Sequence, residues 1–455
     1  MKLIYGIKDR PKLGQIIVFA IQQLLAIMAA TLVVPVIING NVGLTDEYAM
    51  SSAAALLGAG IGTLVYQLFT RFKSPVFLGS SFAFIGPMCA AFAGAASVQA
   101  GYLGLIIGAA MAGMVYVLIA VIVKFAGVKW IAKLMPAVVI GPTVAIIGLS
   151  LAGNAIGDLQ KAPAGGSVYV AIICGLVTLA VTMLCATFGK KMIRLIPFII
   201  GILAGYAVAA IFTVIGTVAD IPALLVINFD PIKSLFAPFT IESIISVPDL
   251  TFMQAIKGVT EINAEYIFTL FVAYVPVAAV VFAEHLADHK NLSTIIEKDL
   301  LEDPGLHNTL LGDGVGSIAG AIFGGCPNTT YGESVGCVAI TGNASVITMT
   351  VTAFLAIAIS FLSPFVAFVN TIPSCVMGGV CMALYGFIAV SGLKMIQKVD
   401  LEKNRNLFVV SVILITGIGG LSVTFGKVTL TTVACALILG ILANLMLGIK
   451  DGKEE

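Results

Sequence analysis

A chain of 455 residues that is 59% hydrophobic and only 10% charged, with a mean hydropathy of +1.10, lies outside the soluble globular range, where roughly a quarter of residues carry charge. Its formal net charge of +1 offers no basis for a nucleic-acid or acidic-surface partner. The 8 cysteines (89, 174, 185, 326, 337, 375, 381 and 435) fall in apolar runs without metal-type pairing, which reads as core packing, with no metal and no cofactor expected. The composition predicts an all-α polytopic membrane protein.

A spanning helix needs about 20 mostly apolar residues. Fourteen candidates follow along the chain: 14–38, 51–70, 76–92, 101–125, 130–152, 166–188, 192–216, 265–288, 307–325, 327–341, 344–366, 371–393, 405–424 and 428–449. The run that starts at Leu13 is long enough to span, so no cleavable signal is expected. The third and tenth candidates are short and interrupted by polar residues, and are expected to be broken. With fourteen spans and both termini cytoplasmic, all but Lys161, Lys233, Lys257 and Lys427 of the 24 basic residues fall inside. Trp130 is expected at a membrane interface.

The longest connection, about 217–263, separates two sets of seven spans. Met135-Pro-Ala-Val-Val-Ile-Gly141 in the fifth span resembles Ile372-Pro-Ser-Cys-Val-Met-Gly378 in the twelfth, and Pro75 through Phe82 parallels Pro327 through Glu333. Because seven is odd, the second set enters the membrane from the opposite side. Inverted repeats with discontinuous helices at matching positions are a secondary-transporter pattern, and the broken segments point to the site. Gly312, Gly316, Gly320 and Gly324 form a small-residue stripe on the ninth span, suited to close helix approach, and Gly58, Gly60 and Gly62 do the same on the second.

The stretch from Cys326 to Gly342 carries a carboxylate, Glu333, among apolar segments. Pro327 suits a segment start, and Thr329, Thr330 and Tyr331 favour extended backbone. After Gly332 the composition turns helical. This predicts a short extended piece followed by a half-helix, with Glu333 near the junction; the alternative is a solvated loop. Broken backbone at membrane depth is tolerated where it is buried in protein or lines a cavity, and an intramembrane carboxylate is a functional-site hypothesis by default.

The other acidic residues at membrane depth are Glu284, Asp288 and Asp313. Glu284 and Asp288, four apart, share a helix face after a long apolar run. Asp313 reads as interfacial, near the inner end of its helix. His285 and His289 have helical His-x-x-x-His spacing, but no Glu directly follows the first His, which argues against a zinc-protease motif. His289 reads either as a polar helix end or as a proton relay. Phe82, at the repeat-related break, follows small residues that let backbone approach a ligand while the ring packs on it. Two carboxylate acceptors, broken-segment N–H donors and an aromatic face suit a flat neutral heterocycle with N–H groups beside carbonyls.

At these residues the sequence resembles the nucleobase–ascorbate transporters, specifically the bacterial uracil permease type. The resemblance spans nearly the whole chain from Ile21 onward. Its most specific pieces are Gly79-Ser-Ser-Phe-Ala-Phe-Ile85, Ala283-Glu-His285 and Pro327-Asn-Thr-Thr-Tyr-Gly-Glu333. It implies fourteen transmembrane segments as 7+7 inverted repeats, with short strands interrupting segments 3 and 10. It also implies a core domain of 13–126 and 264–366, a gate domain of 127–216 and 367–450, and an extracellular connection of 217–263.

By motif position, the resemblance implies that Glu284 and Glu333 bind the base, with the N–H groups of Phe82 and Gly332 and with Ala30 and Tyr331 nearby. Four positions depart from the family pattern. Gln22-Gln23 stands for a Gln-His pair, Ser334 and Gly342 stand for Asn and Arg of the signature, and Asp288 occupies a position that is often His in uracil permeases. Asp288 matches purine-transporting relatives, whereas Glu333 in place of Gln favours uracil.

The expected function is import of a nucleobase, uracil ahead of xanthine or another oxopurine, by proton symport through Glu284, Asp288 and His289. The expected partners are the base, protons and the lipid bilayer, with a homodimer left open. The rivals are a passive channel, opposed by the absence of a continuous polar lining, and a membrane enzyme, opposed by the lack of a nucleophile–base pair.

Overall fold

The computed structural model describes residues 3–45, 48–127, 136–190, 192–425 and 428–448. Trp130, Met135 and the basic residues Lys2, Lys129, Lys133, Lys191, Lys427, Lys450 and Lys453 lie outside the described residues, and the expectations placed on them lie there too. By length and composition, eight described helices are apolar enough to cross a membrane, and four shorter apolar helices of 10–17 residues accompany them.

The first half holds α1 (Leu13–Val42), α2 (Ser52–Phe69), strand β1 (Leu78–Ser80), α3 (Ile85–Ala93) and α4 (Val98–Ala126). It continues with α5 (Ala137–Ser150), α6 (Ala152–Leu159), α7 (Val168–Phe188), the short α8 (Met192–Leu195) and α9 (Pro197–Val218). The connection that follows contains two short helices, α10 (Asp230–Leu235) and α11 (Thr251–Ala255). The second half opens with α12 (Ala264–Ile296) and α13 (Leu306–Gly324). Next come strand β2 (Asn328–Thr330), α14 (Gly332–Thr341), α15 (Val346–Ser360), α16 (Ser363–Asn370) and α17 (Ser374–Ile396). It closes with α18 (Asn404–Ile418), the hairpin β3 (Val423–Phe425) and β4 (Val428–Leu430), and α19 (Thr432–Gly448).

Packing sorts these helices into two groups. α1, α2 and α4 pack with α12, α13 and α15, while α5, α7 and α9 pack with α17, α18 and α19. In the first group α2 packs closely against α13, and glycine is the reason. A Cβ on Gly62 would sit 2.8 Å from the Gly316 carbonyl, and one on Gly316 would sit 2.7 Å from the Gly62 carbonyl. Backbones that near exclude any side chain, so the glycine stripe of α13 is a packing face.

The two strands are the fold's irregular centre. β1 and β2 pair antiparallel, with Leu78 opposite Thr330, Gly79 opposite Thr329 and Ser80 opposite Asn328, and the Ser81 N–H extends the pairing to the Pro327 carbonyl (3.0 Å). α13 stops at Gly325, which turns left-handed at φ 74°, and Pro327 follows and cannot continue the helix. All six strand residues are buried in protein. Hydrogen bonds between the strands satisfy backbone groups that lipid would leave unpaired.

Candidate functional site

Two half-helices start where the strands end. A 3-10 turn at Phe82–Phe84 leads into α3, and α14 begins at Gly332, directly after β2 and Tyr331. The first N–H groups of a helix have no intrahelical partner, and Gly332 and Glu333 both line a cavity of about 440 Å³ between the two helix groups. That size suits a small-molecule site, which typically measures roughly 300–1,000 Å³.

The first group contributes Glu284, Asp288, Thr330, Glu333 and Phe82 to the cavity wall; the second contributes mainly apolar side chains, Val144, Ile147, Phe198, Leu384 and Phe387 among them. Tyr331 and Gly332 line it as well. Arg194, on α8, stands at the exposed edge with Ile340 and Ser391. Three carboxylates thus face one space, and Arg194 is the single basic side chain among the described lining residues.

The polar positions are held from behind. Thr330 Oγ1 donates to Asp288 Oδ2 (2.9 Å), fixing one carboxylate against β2. The Tyr331 hydroxyl donates to the Ser80 carbonyl (2.6 Å), and its ring lies where a side chain on Gly79 would be. Ser334 accepts from Gln23 Nε2 (2.6 Å) and from the Phe77 N–H (3.2 Å), which ties α14 to α1 and to the approach to β1. Asn328 Nδ2 donates to the Gly58 carbonyl (2.8 Å), pinning β2 on α2. Phe82 meets Tyr385 of α17 edge-on, with ring centroids 6.0 Å apart, so this residue touches both helix groups.

Two of the residues singled out from sequence stand elsewhere. Ala30 is buried in an apolar cluster with Tyr331 and is not among the residues lining the cavity. His289 is fully buried: its Nδ1 donates to the His285 carbonyl (2.8 Å) and its Nε2 meets the Tyr66 hydroxyl (2.7 Å). It is therefore neither a solvated helix end nor a cavity-lining group. Asp313 also departs from its interfacial reading. It is buried, and its Oδ2 lies 2.6 Å from His285 Nδ1, while Thr309 Oγ1 lies 3.0 Å from His285 Nε2. A carboxylate at membrane depth needs such a partner, and the neighbouring helix supplies it.

Sequence reasoning missed Arg194, the Thr330–Asp288 bond and the apolar half of the wall. The apolar residues gave no signal, because their types match every other lipid- or core-facing position. No group of three His, Cys, Asp or Glu side chains is disposed to hold a metal ion among the described residues.

The overall arrangement has solved counterparts. It superposes on the transmembrane domain of a cyanobacterial bicarbonate transporter, BicA, with a TM-score of 0.58 at 13% identity, covering 96% of this chain and 99% of that one. The murine anion transporter Slc26a9 gives 0.61 at 12% identity, covering 98% and 69%. Those likenesses concern the fold. Sequence relatives are nearer: the uracil permease of Bacillus caldolyticus is 36% identical over 449 residues, covering 98% of this chain and 95% of that protein. The uracil permease of Escherichia coli K12 is 35% identical over 440 residues, covering 96% and 92%. The Permease family model matches residues 14–426. By these matches the chain belongs to the Permease family, a multi-pass membrane transport protein and not an enzyme.

Proposed function

We propose that this protein imports a nucleobase, uracil, by proton symport with alternating access. The observation that carries the reading is the cavity wall, where Glu284, Glu333 and the start of α14 face Phe82 across one small space. Uracil presents two N–H donors and two carbonyl acceptors in a plane. Carboxylates accept from the donors, the N–H groups at Phe82 and Gly332 donate to the carbonyls, and the Phe82 ring covers a face. Relatives named as uracil permeases support the same substrate.

In this reading the chain crosses the membrane fourteen times as seven-plus-seven inverted repeats. The group built on α1–α4 and α12–α15 is the core, the group built on α5–α9 and α17–α19 is the gate, and both termini are cytoplasmic. The cavity lies at the seam of the two, so a relative rocking of gate and core would expose it to alternate sides. Its edge at Arg194 and Ser391, close in sequence to Lys190, Lys394 and Lys398, would be the cytoplasmic edge. Three carboxylates around one desolvated space repel one another unless protons or a ligand offset the charge, which favours co-transport of a proton. Asp288 also supports an oxopurine substrate, since purine-transporting relatives carry Asp there.

Proteoliposome uptake of radiolabelled uracil, challenged with thymine, xanthine and urate, tests the substrate. Uracil is expected to accumulate against its gradient, to be displaced best by unlabelled uracil, and to leak out on addition of a protonophore. Displacement by xanthine ahead of uracil would transfer the assignment to the oxopurines.

A further inference from the structure

The segment that precedes α1 is bonded to the far end of the half-helix that carries Glu333. Gly342 closes α14 in a left-handed turn, and its carbonyl accepts from the N–H of Ile4 (2.8 Å) and of Tyr5 (3.1 Å). The bonding then reverses direction, with the Ala344 N–H donating to the Tyr5 carbonyl (2.9 Å) and the Val346 N–H to the Ile7 carbonyl (3.1 Å). Ser345 Oγ adds a bond to the Asp9 carbonyl (2.7 Å). On its other side the segment is keyed to α1, where the Tyr5 hydroxyl donates to Gln15 Oε1 (2.9 Å) and the Tyr5 ring meets Phe19 edge-on at 6.0 Å.

Ile7 is the segment's apolar plug. It is buried in a cluster with Val335 and Val338 of α14, Leu292 and Ile296 of α12, and Leu78 of β1. Of these three elements, α14 carries Glu333, α12 carries Glu284 and Asp288, and β1 leads into Phe82. α14 is only 10 residues long, about 15 Å of rigid rod. A rod that short is aimed by its two ends: the strand pair holds one, and the pre-α1 segment holds the other.

We infer that residues 3–9 are a positioning strap for the substrate site: they fix the C-terminal end of α14, and Ile7 is the residue that sets where Glu333 stands in the cavity. The inference rests on the uracil reading for its affinity readout and on the fold alone for its exchange readout. The strap touches no substrate, so its effect reaches the site only through α14.

The experiment uses a variant lacking residues 3–9 and the point variants Ile7→Ala and Ile7→Leu, all in the otherwise full chain. Hydrogen exchange is read at the amides of α14 and, as an internal control, of α17. In the deletion variant, exchange within α14 is expected to rise about tenfold or more while α17 is unmoved, because only a local closing contact has been removed. Uracil affinity is expected to fall about tenfold in the deletion and about threefold in Ile7→Ala, and to stay at the unsubstituted protein's value in Ile7→Leu. Unchanged exchange in α14 on deleting or truncating the strap overturns the inference, as does faster exchange with unaltered affinity. If the deletion variant does not fold, Ile7→Ala decides alone. If the unsubstituted protein does not bind uracil, the substrate reading has failed and the exchange comparison still judges the strap.

Discussion

Glu284 and Glu333 lie on different elements, α12 and α14, yet they face the same cavity. Each would accept a hydrogen bond from a substrate N–H, and a hydrogen bond to a charged group contributes about 1.5–3 kcal/mol. Glu333→Gln keeps the side-chain shape but can turn an amide donor toward that N–H. Uracil binding to the purified variant, measured with radiolabel, should weaken by roughly ten- to a hundredfold with the thermal midpoint preserved. Glu284→Gln should behave alike. Phe82→Ala should cost less, since the backbone N–H survives. If Phe82→Ala lost more affinity than either glutamate variant, stacking would be the main contribution. Asp313 calls for the opposite signature. It faces His285 in the protein interior and not the cavity, so Asp313→Ala leaves the buried imidazole Nδ1 without its hydrogen-bond partner, at a cost of about 1–3 kcal/mol. The thermal midpoint in detergent should drop clearly.

At the level of elements, the strand pair is the feature on which the site depends. Gly79 has no side chain because the Tyr331 ring occupies that space. Gly79→Ala must displace the ring, break its hydroxyl bond to Ser80 and spread β1 from β2. Overpacking of this kind costs about 1–3 kcal/mol, and a fall in both the thermal midpoint and uracil affinity is the outcome to check. The break at Cys326–Glu333 was readable in the sequence because Pro327, the β-branched Thr329 and Thr330, and Gly332 have strong local preferences. Glu284 and Asp288 were readable because ionisable residues at the end of an apolar run stand out. The partnership of His285 with Asp313 was not, as the two are 28 residues apart on separate helices and only tertiary packing makes them neighbours. Nor was the absence of Ala30 from the cavity wall, since a side chain of one carbon carries no directional signal. The apolar half of the cavity was hidden for a different reason. In a membrane protein, a residue such as Leu384 has the same chemistry whether it faces lipid, core or ligand.

For the molecule as a whole, coupling and rocking are separate expectations. Asp288 is held by Thr330 at the cavity wall, and its own helix carries the buried His285–His289 stack, whose centroids are 4.0 Å apart. If it carries the proton, Asp288→Asn in proteoliposomes should abolish proton-driven accumulation while uracil exchange continues. Accumulation that survives would move the role to Glu284 alone. Rocking can be tested with one substitution, because a native thiol already sits at the seam. Leu195, on the short helix between α7 and α9, packs in one cluster with Ala26 of α1 and Cys337 of α14, and both Leu195 and Cys337 line the cavity. Leu195→Cys puts a second thiol into the cluster that already holds Cys337, and mild oxidation is expected to cross-link the two. The bond would join the two helix groups at the cavity wall. If the two helix groups rock against each other, uptake should then fall to about a tenth or less and recover with reductant, since these surfaces would have to move past each other. Adding Cys337→Ser should remove the sensitivity to oxidant. A cross-linked protein that still transports at the unmodified rate would mean that these surfaces remain in contact throughout the cycle, and that access alternates by movement elsewhere.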